Sequence, residues 1–465
     1  MNDQKIINRI DQVMAFSFCA LIFFLPISIA LQEIFAGAIQ LCFFIKRGVI
    51  FYFESKNASL RGSRNSFLEK TKLFIRTFLP VPSYLRRPVS VFILAGFTSV
   101  ILSQYHLLSF QGFFFKLLEW TFLCFIFIEV MTSLKRLKVF MGVFIFSALV
   151  TAVSGYLQQF IGFDFVRHNP FPGDRLTASF RTANDFGAYL IIAFSLMFNF
   201  VFVGGFNPCL TQDKKKTLCS PYVEKIFFSI LLIVCFLSLG GTFSRGAWLG
   251  FFTAFIFLGV LWPKTLKASI PTIIIFLLFF FPQLELKRNV SFVSENVKIQ
   301  QELKVIKKKA EDNGTKQVEL GENVPVFGSG RVEFWKNSFK IIKDFPFGTG
   351  LNTYTRVSHD RRLGGYPHNC YLQLTAEMGF FGLFAFLWII YALIWNSFKG
   401  IRFMSDKFLL AVLLGSLSGL IGFLAHSFVD TNFYSVQLGN LMWIMMGVCV
   451  AAQKIQFNIS SETAH

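Results

Sequence analysis

The sequence predicts an all-α, polytopic integral membrane protein of about twelve transmembrane helices with a large loop between helices 9 and 10. Three observations carry that prediction. Hydrophobic residues make up 54% of the 465 residues and mean hydropathy is +0.55, whereas a soluble chain of this length needs more polar surface to meet water. Phenylalanine alone supplies 64 residues, which suits a surface facing lipid. Apolar runs able to cross about 30 Å of hydrocarbon recur along the chain, and basic residues punctuate them. The net charge of +19 is spread in this way and not gathered on one soluble module, so no nucleic-acid partner is expected.

The expected spans are 13–31, 33–52, 89–104, 113–131, 139–158, 185–204, 225–241, 246–262, 269–282, 369–395, 408–426 and 434–452. The first two join near Gln32 and Glu33. Lys46 and Arg47 fall late in the second, whose last turn is expected to emerge among lipid headgroups. The first run lacks a small-residue cleavage site and leads straight into the second, so it reads as a retained helix and not as a signal peptide. Orientation follows from short basic loops. The 53–88 segment is rich in lysine and arginine against only Glu54 and Glu69. Lys135, Arg136 and Lys138, then Lys214 to Lys216, Lys264 and Lys267, and finally Lys399, Arg402 and Lys407 mark the others. With twelve spans all of these share one side with both termini, and that side is the cytoplasm. The eight cysteines show no CxxC pair and no zinc spacing, and no disulfide is expected.

This topology divides the chain into 1–282 (helices 1–9, with the basic loop 53–88 inside and the loop 159–184 outside), an outer loop 283–368, and 369–465 (helices 10–12 and a cytoplasmic tail). The first half of the outer loop is rich in Lys and Glu and reads as a solvated helix with a turn at Asn313-Gly314. A surface insertion without chemistry is the plain reading of that charged stretch, 295–322. In the second half, Val332, Trp335, Phe339 and Ile342 recur at helical spacing between Gly328-Ser329-Gly330 and Asp344-Phe345-Pro346. An amphipathic helix near 331–343 is expected there, lying on the membrane or protein surface. Gly348 and Gly350 then free the backbone for a turn.

The residues able to do chemistry are outer-side cations and histidines. Arg245 is the only charge between two apolar spans, and a cation at that depth is costly unless it meets an anion or a cavity; a snorkelling arginine is the alternative. The glycines flanking it argue for something that approaches the backbone closely. Arg331 opens the amphipathic helix, where its charge opposes the helix dipole; free N–H groups and a guanidinium fork there suit phosphate oxygens. His368 opens the tenth span in Pro367-His368-Asn369-Cys370, where the helix end favours a neutral ring able to accept a proton. Gln373 and Glu377 are polar groups within the same apolar run, either functional or bonded to neighbouring helices. Asp430 closes the eleventh span and either orients an arginine or caps the following segment. His106, His168 and His359 read as surface residues. There is no HExxH and no credible DxD pair, so neither a metal nor another cofactor is expected.

These residues, in order, resemble the O-antigen ligase and O-antigen polymerase family of bacterial envelope glycosyltransferases. The matching stretches are Ser244-Arg245-Gly246-Ala247-Trp248-Leu249-Gly250, Gly330-Arg331 with Trp335, Pro346-Phe347-Gly348-Thr349-Gly350, and Pro367-His368-Asn369-Cys370-Tyr371-Leu372-Gln373 with Glu377, Gly379 and Gly382. The resemblance implies a C-type glycosyltransferase-like fold in the bacterial inner membrane. It implies a glycan donor carried on undecaprenyl diphosphate and an active site on the periplasmic face. It makes Arg245 and Arg331 binders of the diphosphate, with Arg181 a looser match, and His368 the residue that acts on the acceptor hydroxyl. The acceptor is a sugar of lipid A–core for a ligase, or another lipid-linked glycan for a polymerase. A small-molecule transporter is the rival from a different class; the absence of an internal repeat and the placing of cations at the outer surface speak against it.

The topology makes a prediction of its own. Reporter fusions at Lys215 and Lys399 should read cytoplasmic and one near Asn313 periplasmic; a cytoplasmic signal at Asn313 would take the candidate site away from the side on which such a donor is found.

Overall fold

The computed structural model describes residues 2–60, 81–206, 221–286, 330–358 and 366–462. Among these residues every regular element is helical, apart from one isolated bridge between Phe163 and Pro170. The order is α1 (Asn2–Phe24), α2 (Ile29–Leu60), α3 (Ser83–Leu102), α4 (His106–Gly112), a π-helical stretch (Phe113–Leu118), α5 (Glu119–Val130), α6 (Leu134–Ile161) and α7 (Ala183–Phe202). There follow α8 (Pro221–Gly241), α9 (Arg245–Leu261), α10 (Pro263–Leu286), α11 (Gly330–Asp344), α12 (Tyr354–Val357), α13 (Cys370–Ile401), α14 (Lys407–His426) and α15 (Val436–Glu462).

Nine of the described helices are long and apolar enough to cross a membrane: α1, α2, α3, α6, α7, α10, α13, α14 and α15. The expected spans at 225–241 and 246–262 correspond to shorter apolar helices, and the one at 113–131 to α5 with the π stretch before it. Helices α7, α14 and α15 are buried around nearly their whole circumference, whereas α1, α2 and α10 turn most of their apolar side chains outward, as lipid-facing helices do. The basic loop residues 61–80 and 207–220 and the charged stretch 295–322 lie outside the described residues.

The first two helices part at residues 25–28, not at Gln32 and Glu33, which are inside α2. Pro26 has no N–H to donate and ends α1, and the chain turns back through Ile27 and Ser28, whose N–H groups both donate to the Phe24 carbonyl at 2.9 and 2.8 Å. Because α2 continues to Leu60, Lys46 and Arg47 do not emerge among headgroups. They are 5% and 8% exposed and make an internal cluster: Lys46 Nζ lies 2.6 Å from Asp11 Oδ1 of α1 and 2.7 Å from Glu129 Oε1 of α5, and Arg47 pairs with Glu129 Oε2. Burial of four charges is tolerated because opposite signs meet directly.

Helix α13 runs beyond the expected end at 395 to Ile401 and is broken at Gly379, which has φ 70° and ψ −179°. A Cβ there would lie 2.6 Å from the Pro346 carbonyl oxygen, so the break lets the 345–350 turn come against the helix backbone. That turn uses Gly348 and Gly350 at φ 97° and 106°, in keeping with the expectation from sequence.

The amphipathic helix is α11, but its buried face is not the expected one. Phe334, Ser338, Ile341 and Ile342 are buried, while Val332 and Phe339 are 50% and 60% exposed. The reason is the partner. Ile341 and Ile342 pack on Tyr354 and Ala376, and Ser338 Oγ hydrogen-bonds the Tyr354 hydroxyl at 2.6 Å. A polar residue therefore belongs to the inward stripe, and counting apolar residues alone rotates the helix.

The internal ion cluster predicts a stability effect. Glu129→Ala leaves Lys46 and Arg47 sharing Asp11 alone in a buried place, which costs on the order of 3 kcal/mol. Thermal unfolding of the purified variant should begin well below wild type; equal melting temperatures would mean that the cluster is hydrated.

Candidate active site

Four chain segments meet at one end of the bundle, and each is fixed there by its own backbone. The loop 162–182 is ordered by two buried side chains. Asp164 accepts hydrogen bonds from the N–H groups of Val166, Arg167 and Asn169 at 2.7 to 3.0 Å. Gln158 Oε1 accepts from Thr177 N and Ala178 N at 3.2 and 3.0 Å. Leu176 N donates to the Gly241 carbonyl at 3.0 Å, which sets the loop against the end of α8. Ser244 caps α9, its Oγ accepting from Ala247 N at 3.2 Å, and Asn369 caps α13 through Tyr371 N and Leu372 N at 2.9 and 3.0 Å.

Just before each of those caps stands a residue in the left-handed region, Phe243 at φ 45° and His368 at φ 47°. Neither is glycine, so the conformation costs energy that the surrounding contacts must hold. The backbone docks firmly at His368: Cys370 N donates to the Ser427 carbonyl at 2.9 Å, Cys370 Sγ to the Asp430 carbonyl at 3.3 Å, and Tyr371 Oη to the Leu424 carbonyl at 2.9 Å.

Among these segments runs a polar chain. His368 Nδ1 lies 3.4 Å from Asp430 Oδ1. Asp430 Oδ2 accepts from Asn184 Nδ2 at the start of α7. Asn184 Oδ1 in turn accepts from Ser244 Oγ at 2.9 Å and from Arg175 Nη2 at 2.7 Å, and Arg175 Nε donates to the Thr242 carbonyl at 2.8 Å. Burial alone would raise the Asp430 carboxyl, but the His368 hydrogen bond, the neighbouring His426 and the Thr431 N–H hold it below its ordinary value. Asp430 therefore meets the imidazole as a carboxylate. It orients a histidine and an asparagine, in addition to bonding Thr431 N at 2.8 Å.

The arginines gather around this chain. Burial lowers the pKa of Arg175, Asp174 and Asp430 raise it, and the like charges of Arg331 and Arg245 lower it, which places the three guanidinium groups within electrostatic reach of one another. Arg245 and Arg331 are exposed, with Arg245 in the first turn of α9. Helix α11 is held beside His368 as well: Trp335 Nε1 donates to the Pro367 carbonyl at 3.0 Å, and the Phe334 ring centroid is 6.1 Å from that of His368. Arg331 precedes Phe334 by about one turn and so shares that neighbourhood. Arg181 is exposed and acts on Asp185, the residue whose N–H Thr182 caps.

Gln373 and Glu377 sit deeper on α13, and both are buried. Glu377 is fully engaged. Its carboxylate accepts from Asn352 N at 3.0 Å, Tyr354 N at 3.2 Å and Gln373 Nε2 at 3.2 Å, and its carbonyl accepts from Gly350 N at 3.0 Å. The pair thus buttresses the segment that carries α11. The glycines around Arg245 have a partner too: a Cβ on Gly246 would lie 2.6 Å from His426 Cδ2, and Gly250 faces Gly422, so α9 and α14 touch backbone to backbone. Of the histidines read as surface residues, His106 and His168 are exposed, and His359 lies outside the described residues.

Sequence reasoning passed over Arg175 and Asn184. Arg175 stands in an ordinary turn sequence, Pro172-Gly173-Asp174-Arg175, and Asn184 beside an acidic residue at a helix start. Only the requirement that a cation close to an apolar span must find a partner singles out Arg175. The arrangement as a whole offers a cationic surface for an anion, with an imidazole held by a carboxylate at its edge. Among the described residues no group of three or more His, Cys, Asp or Glu could hold a metal ion.

Comparison with known protein families matches residues 230–387 to the family described as O-antigen ligase. The matched stretch contains Arg245, Arg331, His368, Gln373 and Glu377, and leaves Arg175, Arg181, Asn184 and Asp430 outside it. Comparison with curated proteins gives no match.

The buttress predicts its own outcome. Glu377→Ala strips the buried N–H of Tyr354 and the part-buried N–H of Asn352 of their acceptor, costing about 1–3 kcal/mol for the buried group and less for the other. The variant should melt earlier than wild type, and Glu377→Gln should recover part of the loss because its amide oxygen still accepts. Equal stability of wild type and Glu377→Ala would contradict the buttress.

Proposed function

We propose that this chain, whose residues 230–387 match the family described as O-antigen ligase, is a membrane glycosyltransferase that moves a glycan from undecaprenyl diphosphate to a sugar of lipid A–core. The observation that carries the reading is the convergence of Arg175, Arg245 and Arg331 on the His368–Asp430 pair. In this reading the chain crosses the bacterial inner membrane about twelve times with both termini in the cytoplasm, and the site faces the periplasm.

The acceptor hydroxyl attacks the anomeric carbon of the donor sugar while the bond from that carbon to the diphosphate oxygen breaks. Negative charge then grows on the departing undecaprenyl diphosphate. Arg245 and Arg331 receive it, with planar forks that match phosphate oxygens, and Arg175 adds a third positive charge behind them. Arg181, further along the same loop, is a looser candidate for the same diphosphate. With Nδ1–H donating to Asp430, His368 keeps Nε2 as an acceptor and takes the hydroxyl proton as the new bond forms. Asp430 holds the ring in that tautomer and stabilises the imidazolium that results, and Asn184 fixes Asp430. A single displacement inverts the anomeric configuration. The leaving group is already activated and arginines supply the positive charge, so the reaction as drawn needs no nucleotide and no metal ion.

The test is transfer by the purified protein in detergent, with lipid-linked donor and acceptor, measuring turnover and donor affinity separately. His368→Asn should lose roughly 10²–10⁴-fold in turnover with donor affinity kept, since Asn can cap a helix but cannot accept a proton. Arg245→Lys should lose much of the activity because a point charge cannot make bidentate contacts, and Arg331→Lys less, because its helix end still attracts the anion. Wild-type turnover by His368→Asn would remove the base, and full activity of both lysine variants would remove the diphosphate contacts. Deleting the gene should abolish long-chain lipopolysaccharide while lipid-linked polymer accumulates; single-repeat caps would instead make the chain a polymerase.

A further inference from the structure

A second polar cluster lies within the helices, apart from the arginines and His368. Glu33 of α2 and Glu119 of α5 hydrogen-bond each other through their carboxyl groups. Asn440 of α15 donates from Nδ2 to Glu33 Oε1 at 3.4 Å. Beside Glu33, Gln32 donates from Nε2 to the Val436 carbonyl at 3.2 Å, one turn before Asn440 on the same helix. Glu119 is the first residue after the π stretch Phe113–Leu118, and such insertions re-aim the side chains that follow them.

The cluster is largely buried but incomplete. Asn440 and Gln32 are 0% exposed, Glu119 is 9% exposed and Glu33 is half-buried, yet Asn440 Oδ1 and Gln32 Oε1 have no hydrogen-bond partner. Buried polar oxygens are ordinarily satisfied, so orphaned acceptors beside two carboxyls call for a positive partner. Among the described residues, the only ionisable group acting on either carboxyl is the other one, and no lysine or arginine supplies that charge. Two carboxylates cannot meet at hydrogen-bond distance unless one positive charge lies between them.

We propose that Glu33, Glu119, Asn440 and Gln32 form a binding site for one monovalent cation inside the membrane: the proton that bridges the two carboxyls, or an alkali ion that replaces it. The common chemistry is a single positive charge shared by two carboxyls and neighbouring amide oxygens. Alkali ions suit such a set, being hard cations that prefer oxygen ligands. The occupied site joins α2, α5 and α15, and α15 begins six residues after Asp430.

The test uses the full-length chain in lipid nanodiscs and needs no transfer assay, so it stands or falls separately from the glycosyltransferase reading. Thermal unfolding is followed in sodium, lithium, potassium or choline chloride at equal ionic strength. Infrared difference spectra through an alkaline titration follow the protonated carboxyl stretch. An alkali occupant raises the melting temperature by roughly 3–4 °C over choline at saturation, and Glu33→Gln and Glu119→Gln, which keep the side-chain volume, abolish that rise. A proton occupant leaves the melting temperature indifferent to the salt but gives a protonated-carboxyl band that is missing from Glu119→Gln. Either result supports the site. Wild-type protein with neither the salt dependence nor the band overturns it, even if the variants do not fold, and so do folded variants that keep both signals.

Discussion

The hydrogen bond between Asn184 and Asp430 joins the start of α7 to the turn after α14, and the geometry of the candidate site follows from it. Asn184 is a small amide that uses both ends: its oxygen gathers Ser244 and Arg175, and its nitrogen reaches the carboxylate that faces His368. An asparagine can do this where an aspartate cannot, because only the amide combines donor and acceptor. Through this residue the cap of α9, the loop 162–182 and the mouth of α13 share one rigid reference. An imidazole and the cations around it must be held to within fractions of an ångström if they are to act together, and loops alone seldom manage that.

The membrane imposes the rest. Helices that turn apolar faces to lipid must satisfy their backbone internally, and charges left inside must meet charges. The chain answers in three ways at three places. Lys46 and Arg47 meet Asp11 and Glu129 directly. Glu377 is neutralised in effect by backbone N–H groups, with Lys116 anchored 2.8 Å away on Asn352 Oδ1 in the same neighbourhood. Glu33 and Glu119 meet each other, the one arrangement of the three that the polypeptide does not complete.

Much of this was legible in the sequence because it is local. Apolar run length and basic punctuation point to the helices, and the pair Gly348 and Gly350 announces a turn that needs positive φ. Arg245, Arg331 and His368 stand out because each is a polar residue at the edge of an apolar run. What stayed hidden depends on residues far apart in sequence. Nothing near Asn184 says that it will face Asp430, and nothing near Lys46 says that Asp11 and Glu129 will reach it. The register of α11 was misjudged for a related reason, since Ser338 faces inward only because Tyr354 offers it a hydroxyl. The turn at Pro26 was within reach, as a proline in an apolar run is a natural place for a helix to stop.

The seating of α11 against α13 has a consequence for motion. The N–H groups of Thr349 and Gly350 bond the carbonyls of Ala376 and Glu377 beside the break at Gly379, and those of Asn352 and Tyr354 bond the Glu377 side chain. These bonds share one short stretch of α13, so losing any of them exposes the others to competition from water. Residues 330–357 therefore form one cooperative unit, and their amide hydrogens should exchange together at a common rate instead of fraying from one end. Arg331 rides on that unit while Arg245 and His368 do not. The cationic surface is thus complete or broken as a whole, switching between two arrangements instead of yielding gradually.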